Sequence, residues 1–250
     1  MDISLQKNMA KIKFKKRIVI KTSGEVMGDP NSESNLDFVK IKKLAQSLKK
    51  LTSSGYQVAI VVGAGNIFRG RMAKDAQIER VTADHMGMIA THINALALQS
   101  MLEKNGQEAV VMSPFYMPKA LVPYNHHKAI KHLESGKIVI LAGGTGSPYF
   151  TTDTNMVLRA LEIQADHMFK ATNVAGVYDA DPDKNPKAKL YKELTYSQAL
   201  DKNLKVMDTA AFALARDNNL KLTVFEYSPA NLIKVVKQDN IGTKVFNESH

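Results

Sequence analysis

Residues 137–153 read KIVILAGGTGSPYFTTD. The apolar run after Lys137 predicts a buried strand, and a glycine-rich loop closes it at once. Residues 154–163 then fit a helix. The same order recurs upstream. QVAIVV at 57–62 is a second predicted strand, closed by GAGNIFRG at 63–70, and RIVIK at 17–21 is a third, closed by TSGEVMG at 22–28. Strand, glycine turn and helix in repetition predict an α/β fold. We expect a three-layer sandwich around a large, mainly parallel central sheet with right-handed crossovers.

The remaining elements follow from spacing. Ile41, Leu44, Leu48 and Leu51 give one apolar helix face, with Asn35 as the expected cap and Gly55 as the stop. A long helix is expected over 84–104, apolar at Met88, Ala95, Leu98 and Leu102. Strands are expected at 108–112, 167–170, 222–225 and 243–246. Shorter helices fit 126–133, 196–200, 209–218 and 230–237. The three-proline stretch 113–125 reads as irregular or a short hairpin, and the turn-rich 171–195 as devoid of regular elements. The expected organisation is a basic extension, 1–16, before a single catalytic domain, 17–250. Acceptor chemistry falls mainly in 17–165 and donor chemistry in 166–246.

The chain has 250 residues and a net charge of +10, from 34 basic and 24 acidic side chains. Lys7, Lys11, Lys13, Lys15, Lys16 and Arg17 stand against Asp2 alone, so residues 1–17 hold half of that excess. A basic balance suits an anionic partner without choosing one. There is no cysteine, which excludes disulfides and thiolate chemistry. No apolar run approaches the ~18 residues of a membrane span, and the leader lacks a signal-peptide core. A cytoplasmic protein with no membrane or nucleic-acid partner is expected.

Four segments place unusual chemistry just after strands: KTSG at 21–24, GAGN at 63–66, GGTG at 143–146 and KATN at 170–173. Ligands of open α/β sheets sit at the carboxyl ends of strands, and glycine lets backbone N–H groups approach an anion. Three such loops beside two lysines point to several phosphates. Each loop alone is also what an ordinary turn looks like. The P-loop pattern is absent, and Phe68 stands where a dinucleotide fingerprint needs its last glycine. The protein-kinase signatures are absent too. Asp179, Asp181 and Asp183 fail the calcium-loop spacing, and the histidines show no zinc motif. Lys21 and Arg69 are the natural cations over a moving phosphoryl group.

In their order and spacing, KTSGEVMG (21–28), VVGAGNIFRG (61–70), TADHMGMIATHINALAL (82–98), AGGTGSPYFTTD (142–153), KATNVAGVYDADP (170–182) and LKVMDTAAFALARD (204–217) resemble the bacterial-type UMP kinases of the amino acid kinase family. The likeness covers roughly 17–246. It implies an amino acid kinase-like fold, phosphorylation of UMP by ATP with Mg2+, and a homohexamer inhibited by UTP. It further implies ATP binding by Lys21, Thr22, Ser23, Gly24, Gly65, Arg69, Thr172, Tyr178 and Asp181. UMP binding is implied for Ala64, Asp84, Thr145, Gly146, Ser147, Pro148, Tyr149, Phe150, Thr151 and Thr152. Asp208 joins Lys21 and Arg69 as catalytic, positioning Mg2+ or Lys21, or serving only as a helix cap. Asp84 could likewise be a cap, and Asp153 could cap the next helix as well as polarise the site. His85 and His92 read as satisfied interface or surface residues. Ala64 stands where the family usually has glycine. DPNSESN (29–35) lacks the family's GFG-like turn, which leaves activation by GTP in question. The competing readings are a family enzyme with another small acceptor, or a nucleotide sensor without turnover.

Overall fold

In the computed structural model, residues 14–29, 35–204, 207–238 and 241–247 are described. Most of the DPNSESN segment (30–34) and of the expected basic extension (1–13) lies outside them. The strands are β1 (Lys16–Thr22), β2 (Tyr56–Val62), β3 (Ala109–Ser113), β4 (Val122–Pro123), β5 (Ile138–Leu141), β6 (His167–Thr172), β7 (Glu193–Thr195), β8 (Leu222–Glu226) and β9 (Thr243–Phe246). Among the described residues they form one nine-stranded sheet, ordered β4-β3-β5-β2-β1-β6-β8-β9-β7. Every pairing is parallel except β8 with β9. β1 lies centrally, paired from Lys16↔Tyr56 to Thr22↔Val62 on one side and from Ile18↔His167 to Lys21↔Lys170 on the other. The expected α/β sandwich is the observed one.

The helices are α1 (Phe38–Ser53), α2 (Gly70–Asp75), α3 (Arg80–Lys104), α4 (His126–Glu134), α5 (Thr152–Glu162), α6 (Tyr196–Asp201), α7 (Thr209–Asp217) and α8 (Pro229–Gln238). Alternation along the strands divides the core in two. Val19, Val61, Val139 and Met168 pack under α4, α5 and α7. Ile18, Ile20, Ile60 and Phe169 pack under α1, α3 and α8. The predicted face of α1 is buried completely at Ile41, Leu44, Leu48 and Leu51. Burying each such side chain contributes roughly 1.5–3 kcal/mol.

Three expectations are corrected. Asn35 does not cap α1. It turns the chain in the left-handed region (φ 54°), and Asp37 caps instead, accepting from the N–H groups of Val39 and Lys40 at 2.9 Å. The long helix starts at Arg80, not 84. Glu79 caps it by accepting from Val81 and Thr82, so Asp84 lies one turn inside and is not a cap. The 113–125 stretch is not a hairpin. β4 pairs parallel with β3 through Met112↔Val122, and Pro123 is tolerated because β4 is an edge strand. β6 takes in Ala171 and Thr172; from 173 to 192 the turn-rich region is irregular apart from an antiparallel bridge between Tyr178 and Leu190, and β7 closes it.

Candidate active site

The parallel sheet collects its strand ends at one edge. Lys21 and Lys170 are register partners on β1 and β6, so both ammonium groups emerge side by side. α5 supplies their counter-charge. Thr151 caps that helix through its hydroxyl, accepting from the N–H groups of Asp153 and Thr154, and the first turn carries Asp153 inward. Its Oδ2 accepts from Lys170 Nζ at 2.5 Å, and its Oδ1 lies 3.2 Å from Lys21 Nζ. Oδ1 receives no well-aligned hydrogen bond, so Lys21 holds it as an ion pair. Asp153 is therefore a charged partner within the site, one of its two expected roles, while Thr151 and not Asp153 is the cap. Burial pushes the Lys170 ammonium below the ordinary lysine pKa, with Asp153 opposing.

Asp208 does cap α7, accepting from the Ala211 N–H at 2.9 Å. It also accepts from the hydroxyls of Thr151 and Thr154, which ties α7 to the start of α5. Burial pushes its carboxyl up. The hydrogen bonds from Thr151, Ala211 and Thr154 together outweigh that, and its pKa lies below the usual aspartate value. Lys21 is held by Asp153 and not by Asp208, which corrects one expected role.

Glycine brings two loops into contact. A Cβ on Gly24 would lie 2.2 Å from Asn66 Oδ1 and 2.6 Å from the Gly65 nitrogen. The Gly63 N–H donates to the Thr22 carbonyl, and buried Asn94 donates to the Gly63 carbonyl and to Asn66. Beyond these loops lies a cleft of about 330 Å³. Lys21, Ser23, Gly24, Ala64, Gly65, Asp84, Phe150, Thr151 and Thr152 line it. Ala64 thus sits in the wall, where its methyl takes space a glycine would leave open. Asp84 is gripped by Arg80 through Nε to both carboxylate oxygens, and accepts from the Tyr149 N–H at 2.7 Å. Tyr149 adopts φ 71°, a left-handed geometry that only firm contacts maintain. A second cleft of about 520 Å³ gathers Thr172, Tyr178 and Asp181.

Other expected residues stand differently. The Thr22 side chain is fully buried and shares the α1 face of the sheet with Ile18 and Ile20, so only its backbone serves the loops. Arg69 lies at the rim, donating to Glu25 at 2.7 Å and to the Gly65 carbonyl. Thr145, Gly146, Ser147, Pro148 and Tyr149 are outside the lining of the 330 Å³ cleft and shape the loop behind it. His92 is buried. Its Nδ1–H donates to the Ile89 carbonyl, so Nε2 accepts from Ser113 at 2.7 Å, and burial lowers its pKa. It is a satisfied residue, as expected, but an interior one. Lys170 was given no role from the sequence, although it lies near the carboxyl end of its strand in KATN as Lys21 does in KTSG. Arg80 and Glu25 carried no signal, because their roles arise from partners distant in the chain.

Residues 16–226 match the amino acid kinase family. The chain belongs to that family. Among its relatives in the amino acid kinase family, the uridylate kinase of Xanthomonas oryzae pv. oryzae is 48% identical over 94% of this chain and 98% of its own length. A solved structure of UMP kinase from Bacillus anthracis superposes with a TM-score of 0.89 at 36% identity, covering 94% of this chain and 97% of that one. One from Ureaplasma parvum gives 0.88 at 40% identity, covering 93% and 99%. Among the described residues, no helix is long and apolar enough to cross a membrane.

Proposed function

We propose that this amino acid kinase family member transfers the γ-phosphoryl group of ATP to UMP, giving UDP and ADP. The observation that carries the reading is the pair of register-matched lysines converging on Asp153, beside a cleft bearing Asp84. The 330 Å³ cleft takes UMP, and Asp84, an acceptor-only carboxylate, suits the vicinal ribose hydroxyls. The 520 Å³ cleft takes the adenosine of ATP through Thr172, Tyr178 and Asp181.

The acceptor is a phosphate monoester whose second pKa is about 6, so it is already a nucleophile at neutral pH. No general base is required. A UMP phosphate oxygen attacks the γ-phosphorus as the bond to the β–γ bridging oxygen breaks, and ADP leaves. The chain's work is to hold two mutually repelling anions in line and to neutralise charge on the equatorial oxygens. Lys21 and Lys170 do this from the sheet. Arg69 covers the rim, and the Gly24 and Gly65 N–H groups approach from the loops.

Mg2+ fits as a partner of ATP and not as a resident of the protein. Among the described residues no three His, Cys, Asp or Glu cluster into a cage. Mg2+ is commonly held by substrate phosphates with one or two carboxylates, and Asp208 is the carboxylate of choice, since both lysines occupy Asp153. When bound, it neutralises phosphate charge.

Self-association as a homohexamer, inhibition by UTP and a cytoplasmic location complete the proposal. The family likeness supports all three, and the apolar stripe Met86, Ile89, Ile93 and Leu96, exposed along α3, supports self-association. The deciding experiment is coupled ADP release with UMP, CMP, carbamate, aspartate and isopentenyl phosphate as acceptors, repeated with UTP and GTP. Turnover confined to UMP is expected. Preference for any other acceptor replaces the reading, and sedimentation tests the hexamer.

A further inference from the structure

Much of the positive charge that the phosphoryl centre leaves unused lies at the opposite end of the sheet. Lys16 and His167 open β1 and β6, Lys221 immediately precedes β8, and Lys244 is the second residue of antiparallel β9; the four strands are neighbours in the sheet order. They also share a face. Alternation puts Lys16 with Ile18, His167 with Phe169 and Lys221 with Thr223, and register pairs Lys244 with Thr223. Ile18 and Phe169 belong to the layer under α1 and α8. The His167 ring confirms the alignment, bonding to the Thr223 hydroxyl at 2.8 Å across β6 and β8. With strands about 4.8 Å apart, the three lysines span roughly 15 Å.

α8 ends against this row and adds Lys237. The four lysines line one cleft of about 690 Å³, with Ile18, Phe169 and Val235 among its apolar lining. Among the described residues, no Asp or Glu lines it. Glu193 lies 3.9 Å from Lys244 but is not part of the lining, and Asp166 is engaged by the Arg17 N–H at 2.7 Å. Four ammonium groups in one concave site repel one another, and a multiply charged anion relieves that repulsion. A single phosphate is too small to meet a 15 Å row. A chain of phosphates bridges several of the lysines, whose long side chains can converge on it.

We propose that this cleft is a second anion site, separate from the phosphoryl centre, which takes a polyphosphate chain. The chain is either inorganic or the tail of a nucleoside triphosphate whose base lies on Tyr56 and Val236, residues already joined by a hydrogen bond at 3.2 Å. The proposal does not rest on the substrate assignment above.

Binding of inorganic tripolyphosphate and of ATP to the full chain tests it, measured by calorimetry in the parent, in Lys21→Ala and in the pair Lys221→Gln/Lys244→Gln. Tripolyphosphate binding is expected to persist in Lys21→Ala and to weaken by about tenfold or more in the lysine pair, since charged hydrogen bonds are lost. Turnover of the pair should match the parent. Should the pair fold poorly, Lys16→Gln, at the exposed start of β1, repeats the test. ATP competing with tripolyphosphate in Lys21→Ala identifies a nucleotide tail, and failure to compete identifies inorganic polyphosphate. Binding abolished by Lys21→Ala and untouched by the cleft variants overturns the proposal.

Discussion

Lys21 and Lys170 face each other across adjacent parallel strands and share the single carboxylate of Asp153. Two ammonium groups thus meet on one carboxylate, with Asp208 acting on Lys170 from further away. On the proposed function, the γ-phosphoryl group of ATP is the further anion they receive.

Removing the shared carboxylate tests that balance. Asp153→Asn removes the carboxylate that both bonds to and neutralises buried Lys170, a loss expected to cost about 3–5 kcal/mol of stability. Saturating ATP should restore part of it by binding only the folded form. Urea unfolding with and without ATP measures both. Equal destabilisation in the two conditions would show that no phosphate meets these lysines.

Each lysine should matter to rate more than to fold. Lys21→Ala is expected to lower kcat by about 100- to 1,000-fold, the usual effect of deleting one group aimed at developing charge. A melting temperature near the parent's should accompany it. A kcat within a few-fold of the parent's would remove Lys21 from the centre.

The lowered pKa of Lys170 carries a sign. Below the ordinary lysine value of 10.5 the folded chain releases this proton before the unfolded chain does. The unfolded state then binds more protons, so stability rises with pH in the window between the two values. Activity runs the other way, because the ammonium form is the one that screens phosphate. The alkaline limb of the pH–rate profile should fall below 10.5, and Lys170→Arg should move that limb upward. For Asp208 the folded pKa is depressed. Its contribution is present above 3.8 and is lost as acid titrates the folded carboxyl.

Asp84→Asn should act on UMP saturation. The variant keeps the size of the side chain but turns one acceptor into a donor, so KM for UMP should rise by about tenfold or more with kcat less affected. An unchanged KM for UMP removes Asp84 from the acceptor cleft.

Gly24→Ala tests the loop contact. Its new methyl would meet Asn66 and the Gly65 backbone at well below contact distance. Destabilisation of roughly 1–3 kcal/mol is expected, with KM raised for both nucleotides. Wild-type KM values and stability would show that the loops part easily.

The fold was legible because its signals are local. Apolar runs of four to six residues closed by glycine identify parallel strands without any partner being known, and strand ends in such a sheet must gather at one edge. Lys21 could be marked for the same reason. Boundaries failed where capping decided them. Asn35 and Asp37 are both good caps, and only backbone geometry chooses between them. The hub role of Asp153 was hidden because it depends on Lys170, 17 residues away on another element. Thr22 looked like a phosphate contact from its place beside Lys21. Strand alternation sends its side chain into the opposite core, and that follows only once the register of β1 is fixed.

The position of β1 also bears on how the chain is made. Its first neighbour, β2, follows within about forty residues, but its second, β6, comes only after β2, β3, β4 and β5. The Arg17 N–H waits for an acceptor 149 residues downstream, Asp166. During synthesis the half from β1 to β5 can assemble while one edge of β1 stays open, and an open apolar edge strand is a template for mispairing. Non-local closure of this kind is slow. The emergence of β6 from the ribosome therefore seals the nascent sheet, and it brings Lys170 to Lys21 in the same event. The phosphoryl centre assembles no earlier than the step that protects the chain from aggregation.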